Sequence, residues 1–161
     1  MKDILNKLSS YNIFNYLFPG IIFVVIAEIF TQYSFIIDDI ILGLFFYYFI
    51  GLVISRFGSI VIESLLKKLS ILEFASYDDF VSASKKDEKI EILSEVNNMY
   101  RTLCSAVTLL LLLKIYEYFE AKLPFLIDVN LYIILFLLLI TFLFSYRKQT
   151  NYITKRIKSN V

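Results

Sequence analysis

Two charged side chains, Glu28 and Lys114, lie within stretches of sequence that are otherwise strongly apolar. A charge in hydrocarbon costs roughly 2.5 to 3.5 kcal/mol on insertion scales, so such residues are expected to pair or to reach water. Glu28 precedes Tyr33 by five residues and Lys114 precedes Tyr118 by four, which indicates similar depths. The sequence predicts an intramembrane polar pair or pathway here, with a structural ion pair or an outward-snorkelling lysine as the alternatives.

Other chemistry-bearing patterns are missing from the sequence. The chain has no histidine, and its single cysteine, Cys104, is interpreted as a packing residue. No nucleophile stands beside a base, and no Gly-rich phosphate loop or metal-ligand spacing occurs. We therefore expect no catalytic residue, metal or cofactor, and no enzyme.

The composition favours lipid as a solvent for much of the chain. Hydrophobic residues make up 58% and charged residues 19%, against roughly 45 to 50% and 25% in soluble proteins. A helix needs roughly 20 apolar residues to cross a bilayer. Four stretches meet this need, at about 13–33, 40–61, 101–119 and 129–146. They predict an all-α fold, with residues 1–161 forming one integral membrane domain of four transmembrane helices.

The distribution of Lys and Arg predicts which loops face the cytoplasm. Most of the 16 basic residues fall in the N-terminus, which holds Lys2 and Lys7, in the central loop, or in the tail at 147–161. The links at 33–39 and 119–128 are acidic. We therefore expect a multi-pass protein of the bacterial inner membrane with its N-terminus and C-terminus in the cytoplasm.

The central loop is expected to be helical. No proline or glycine occurs between Ser59 and Lys122, and apolar residues keep helical spacing beyond both flanking spans. Helices 2 and 3 are therefore predicted to extend into a cytoplasmic helical hairpin at about 62–100. Its turn is expected between Glu73 and Ser84, followed by a capping box from Ser84 to Asp87.

Small and helix-bending residues mark the first two spans. Small side chains allow membrane helices to approach closely, whereas proline removes a backbone hydrogen bond and bends a helix. The second span is predicted to present a helix-packing or oligomer face, and the first a hinge or an ordinary kink. The packing face comprises Gly43, Gly51, Ser55 and Ser59, and the hinge comprises Asn15, Pro19 and Gly20.

Basic residues near the predicted inner surface could contact anionic lipid or a nucleotide-like ligand. Membrane topology alone also accounts for them, because acidic residues share the same hairpin. The candidates are Lys67, Lys68, Lys85, Lys86, Lys89, Arg101, Arg147 and Lys148.

The layout of the chain resembles a known group of proteins. The stretches from Tyr11 to Phe23 and from Tyr77 to Thr102, with four spans around a helical hairpin, look like small bacterial membrane proteins. The whole layout is similar to the membrane components of anti-phage defence systems such as Hailong and Kiwa. This resemblance implies an oligomeric membrane effector or sensor that works with a cytosolic protein.

Two functions remain open at this point. The first is an oligomeric membrane channel or pore-type effector that is gated from the cytoplasmic side. The resemblance implies that such an effector would act in bacterial anti-phage defence. The alternative is a non-conducting anchor or sensor subunit that recruits a cytosolic partner. The expected partners are the lipid bilayer, further copies of the chain, and a cytosolic protein or nucleotide-like ligand at the hairpin. A small secondary transporter is less favoured, because no internal repeat is visible.

Overall fold

The computed structural model describes residues 10–159, and the regular structure within this range is helical. A helical turn, Ser10–Asn12, leads into the first helix. The expectations for Lys2, Lys7 and the last two tail residues lie outside the described residues. The helices are α1 (Ile13–Phe30), α2 (Ile40–Lys68), α3 (Tyr77–Ser84), α4 (Lys89–Lys122) and α5 (Phe125–Lys158).

Four of these helices are long and apolar enough to cross a membrane, which confirms the predicted all-helical, multi-pass class. Local sequence explains where they start. Asp39 caps α2, since its carboxylate accepts a hydrogen bond from the Leu42 N–H at 2.8 Å. Pro124 immediately precedes α5, and a proline suits this place because the first helical N–H groups need no intrahelical partner.

α1 and α2 cross with their backbones in direct contact. A Cβ atom added at Gly20 would lie 1.9 Å from the Tyr47 carbonyl oxygen, and one at Gly51 would lie 1.8 Å from the Tyr16 carbonyl oxygen. Only glycine fits at these two positions, because any larger side chain would force the helices apart. This crossing fixes the two helices against each other.

A compact apolar layer fills the middle of the bundle formed by α1, α2 and α4. Its residues are Phe23, Val24, Ala27, Ile54, Ala106 and Leu110. α5 contributes no buried residue and touches the rest of the bundle only along one side, for example where Phe142 meets Phe49 at 6.1 Å between ring centroids. Such a helix suits contact with lipid on its remaining faces.

The region between α2 and α4 differs from the predicted paired hairpin. α4 does begin well before its span, at Lys89, but α2 already ends at Lys68. Ser70 has a φ of 57°, a left-handed conformation that turns the chain away from the helix axis. The predicted turn region then forms α3 instead.

The capping residues of this region are also shifted from the prediction. Ser76 caps α3, since its Oγ accepts a hydrogen bond from the Asp79 N–H at 3.1 Å. Ser84, the predicted cap, is the last residue of α3 and donates to the Phe80 carbonyl oxygen. Asp87 accepts from the Lys89 N–H at 3.0 Å and so starts α4. The predicted capping box was therefore wrong. The sequence contains the same Ser-x-x-Asp pattern twice, and the first one, which starts at Ser76, is the one that caps a helix.

Candidate functional site

A buried carboxylate, Glu63, collects three cations from three different helices. It is 6% exposed. Lys67 Nζ and Arg101 Nη1 each donate to it at 3.0 Å, and Lys148 Nζ donates at 3.3 Å. These contacts join α2, α4 and α5 and contain two more positive than negative charges. We call this part of the bundle the basic end.

An irregular turn in α2 places Glu63 inside the bundle. Gly58–Ile62 is π-helical, and Glu63 follows it directly. The extra residue of a π-turn rotates the next part of the helix by about 100° around its axis, so a regular helix would point Glu63 elsewhere. A Cβ atom at Gly58 would lie 2.2 Å from Ser105 Oγ. A larger residue here would require the Ser105 hydroxyl to turn away, so glycine eases the approach of α4 to this turn.

Lys148 ties α5 to the same turn. Its Nζ donates to the carbonyl oxygen and to the Oγ of Ser59, both at 2.7 Å. Ser59 lies within the π-helical turn, and Lys148 lies where α5 passes it. The ammonium group therefore bridges α2 and α5 in addition to its contact with Glu63.

The bundle interior next to this cluster is polar and incompletely hydrogen-bonded. Asn15, Ser55, Thr102 and Ser105 are buried there. Three buried atoms make no hydrogen bond within the described part of the protein: Asn15 Oδ1, Ser55 Oγ and Arg101 Nε. Buried polar atoms are normally hydrogen-bonded, so these three atoms could each accept or donate one more hydrogen bond.

A fourth cation lies close to the basic end. Arg56 Nη2 donates to the Tyr16 hydroxyl at 3.0 Å, so its partner in this contact is neutral. The basic end therefore offers positive charge and hydrogen-bond donors, which is the chemistry that binds anions.

A second buried carboxylate, Glu120, lies at the other end of the bundle and has different partners. It is 7% exposed. It accepts hydrogen bonds from Gln32 Nε2 at 2.7 Å, the Tyr33 hydroxyl at 2.8 Å and Asn130 Nδ2 at 3.2 Å. All three donors are neutral. We call this part the acidic end.

Tyr33 lies in the link after α1 and responds to this environment. Burial, together with the hydrogen bond to Glu120, raises the pKa of Tyr33 to about 12. Its hydroxyl therefore keeps its proton at neutral pH and remains a donor to the carboxylate. The link between α1 and α2 is held to α4 by this bond.

The two ends are separated by one hydrocarbon thickness. The stretch of α4 from Arg101 to Glu120 rises about 28 Å at 1.5 Å per residue, close to the roughly 30 Å of a bilayer core. The apolar layer around Ile54 and Ala106 lies between them. The separation of the two polar clusters thus matches the thickness of a bilayer core.

No protein-family model, curated protein or solved structure matches this chain. The similarity to Hailong and Kiwa components therefore stays a prediction from layout, and the candidate sites are argued from geometry.

The predicted pair between Glu28 and Lys114 does not form. Lys114 Nζ instead pairs with Glu117 at 3.0 Å on its own helix and lies 5.6 Å from the ring centroid of Phe30. Residues three apart on a helix face the same side, so Glu117 is the nearer carboxylate. Glu28 is exposed on the outside of the bundle and makes no ion pair with a described residue.

The small residues of the second span pack within their own chain. Gly51 contacts the backbone of α1, and Ser55 and Ser59 are buried. A Cβ atom at Gly43 would find its nearest neighbour at an ordinary 3.4 Å. The helix-packing interpretation fits this arrangement, whereas most of the proposed oligomer face is already covered.

The predicted hinge is irregular but tightly packed. Asn15 lies in a π-helical turn, Ile13–Leu17, and Pro19 follows at the start of the α-helical part of α1. Proline lacks the N–H that would bond to the carbonyl four residues earlier, which accounts for irregular hydrogen bonding here. Gly20 lies against the α2 backbone, so this part of α1 is held in place.

Of the eight basic candidates, three meet at Glu63: Lys67, Arg101 and Lys148. The other five are exposed and lie outside this cluster, namely Lys68, Lys85, Lys86, Lys89 and Arg147. Glu63 and Glu120 were not predicted as site residues. A signal for Glu63 was its position four residues from both Ser59 and Lys67 within a continuing apolar helix.

Proposed function

We propose that the protein is an oligomeric membrane channel or pore-type effector that is controlled from its basic end. The observation that carries this proposal is the exposure of Glu28 on the outside of the bundle, within the apolar length of α1. A lone carboxylate facing lipid is costly. A water-containing interface between copies would remove this cost.

The closed interior of one chain points in the same direction. The apolar layer separates the two polar ends, so ions would have to pass between copies rather than through a single bundle. Lys114 and its partner Glu117 add further charge near the Glu28 end of the spans. These side chains are the candidates for lining such a pathway.

Control from the basic end is supported by how Lys148 is bound. It connects the loosely packed α5 to Glu63 and to the π-helical turn of α2. A ligand or partner that withdrew Lys148 would release α5 from α2 at this point. We further propose that this end faces the cytoplasm of a bacterial cell, and that the effector serves anti-phage defence, as the layout resemblance implies.

The test is ion flux from liposomes together with particle mass in nanodiscs. Wild-type protein is expected to form oligomers and to release a trapped ion, and Glu28→Gln is expected to change the rate or selectivity of release. Asp38→Asn serves as a matched control, because Asp38 is also an exposed carboxylate but lies in the link. A monomer that releases no ion would overturn the proposal.

The second candidate is a non-conducting anchor or sensor that recruits a cytosolic partner. It is favoured by exposed apolar side chains after α2, which include Leu69, Ile71 and Phe74. Exposed apolar groups outside a span suit protein contact. In this case Ile71→Ser with Phe74→Ser would abolish recruitment of the cytosolic partner to the membrane, whereas Glu28→Gln would leave recruitment intact.

A further inference from the structure

A basic groove runs along the part of α5 that continues beyond its apolar stretch. It has a volume of about 390 Å³. The groove is shallow and open, because all six residues that line it belong to α5: Lys148, Asn151, Tyr152, Thr154, Lys155 and Lys158. The groove is about 15 Å long from Lys148 to Lys158 by rise per residue, which suits a single small ligand rather than a polymer.

The helical spacing of the three lysines places them on one half of α5. At about 100° per residue, Lys155 lies roughly 20° around the helix axis from Lys148, Tyr152 roughly 40° and Lys158 roughly 80°. Among the described residues, none that lines the groove is acidic, and the sequence from Arg147 to Ser159 contains no Asp or Glu. The lysines therefore repel one another, and a bound anion would relieve that repulsion.

A small cavity extends the groove toward α2. It measures about 20 Å³, and Lys148 and Tyr152 line both spaces. Arg56 and Ser59 of α2 also line this cavity. The cavity is large enough for a single water-sized group, so one oxygen of a ligand could reach the Arg56 guanidinium there. The groove thus has a cationic inner end.

We propose that this groove binds a phosphate ester anion, with Lys155 and Lys158 along its length and Lys148 and Arg56 at its inner end. Ammonium and guanidinium groups are the common partners of phosphate oxygens. The source is either the headgroup of an anionic phospholipid or a soluble phosphate ester, because the groove begins where the apolar part of α5 ends. The length of the groove favours this ligand over an extended nucleic acid.

This inference deepens the proposed control at the basic end. Lys148 lines the groove and also donates to Glu63 and Ser59. A phosphate oxygen on Lys148 would compete with these two partners. Tyr152 in turn lies 6.4 Å from Tyr77 of α3, between ring centroids. Binding would therefore change the contacts that α5 makes with α2 and α3.

Membrane topology does not require this arrangement. Basic residues keep a tail in the cytoplasm wherever they lie near the span, whichever side of the helix they occupy. Arg147 and Arg156 of the same tail do not line the groove. They provide a matched control of equal charge. If only total charge matters, replacing either pair will have the same effect.

The experiment uses full-length protein in nanodiscs and has two arms. In the first, nanodiscs of phosphatidylcholine with phosphatidylglycerol are examined by native mass spectrometry for retained anionic lipid. In the second, adenosine monophosphate is titrated by calorimetry into protein in pure phosphatidylcholine. Retention in the first arm alone identifies a lipid source, and binding in the second identifies a soluble one. Both outcomes support the phosphate site.

Lys155→Gln with Lys158→Gln is expected to weaken binding by roughly tenfold, from two exposed charge contacts. Arg147→Gln with Arg156→Gln should leave binding close to wild type. Equal loss in both double variants, or no binding of either probe, would overturn the inference. Neither arm measures ion flux, so a protein that binds a probe but does not conduct would contradict only the proposed channel.

Discussion

Glu63 and Glu120 are buried to nearly the same extent, at 6% and 7% exposure, yet their charges are balanced in opposite ways. Among the described residues, Glu63 accepts hydrogen bonds from three cations, whereas Glu120 accepts them from neutral amide and hydroxyl groups. At the basic end the carboxylate is needed to offset an excess of positive charge. At the acidic end, neutral donors stabilise the Glu120 carboxylate by hydrogen bonds.

This difference indicates different tolerance to change. Removing the charge of Glu63 leaves the partly buried Arg101 and Lys148 and the exposed Lys67 without their shared anion, which is costly where the charges are shielded from water. Removing the charge of Glu120 leaves neutral donors that can find another acceptor. The basic end is therefore expected to be electrostatically sensitive, and the acidic end to depend mainly on hydrogen-bond geometry.

The largest expected effect is that of Glu63→Gln. Losing the only carboxylate that contacts Lys67, Arg101 and Lys148 among the described residues should lower the free energy of unfolding by about 3 kcal/mol. Reversible unfolding in mixed detergent micelles measures this value. Glu73→Gln, at an exposed position, is the matched control and should have little effect.

A double variant shows whether charge is the cause. Adding Lys148→Met to Glu63→Gln removes one of the cations that the first change leaves unpaired. It should therefore restore part of the lost stability. Losses that simply add would contradict the view that Glu63 and Lys148 act on each other.

A smaller loss is expected for Glu120→Gln, about 1 kcal/mol. The amide keeps one acceptor oxygen for Gln32 and Tyr33, and its nitrogen can donate to Asn130 once that side chain turns over. The same unfolding measurement provides the comparison with Glu63→Gln. Equal losses of unfolding free energy in Glu63→Gln and Glu120→Gln would contradict this comparison. They would mean that the cations around Glu63 matter no more than the neutral donors around Glu120.

The sequence was sufficient to predict four long apolar helices but not these clusters. Apolar length is a local property, so the four helices long and apolar enough to cross a membrane could be recognised, and α2 begins at residue 40 as predicted. Most partners of Glu63 and Glu120 are distant along the chain, with separations of 38 residues for Arg101 and 88 for Gln32. Such contacts follow from how helices pack, which one sequence does not specify.

Local patterns also failed where two solutions compete. Ser76 and Ser84 each stand three residues before an aspartate, and only the first caps a helix. The choice follows tertiary contacts, since Val81 of α3 is buried and Tyr77 stacks near Tyr152. The π-helical turn before Glu63 is equally invisible, because the apolar spacing of α2 continues past it.

The smallest expected effect is a difference in alkaline stability that sharpens the description of the acidic end. Burial and the Glu120 hydrogen bond raise the pKa of Tyr33 from 10.0 to about 12, so the folded state holds this proton more tightly than the unfolded state. The stability that Tyr33 contributes is then complete below pH 10 and is lost as the pH rises toward 12. Wild-type protein should lose more stability over this range than Tyr33→Phe. If the free energy of unfolding changes with alkaline pH equally in wild type and Tyr33→Phe, the Tyr33 hydroxyl does not stabilise the Glu120 carboxylate. Glu120 would then have two neutral donors rather than three.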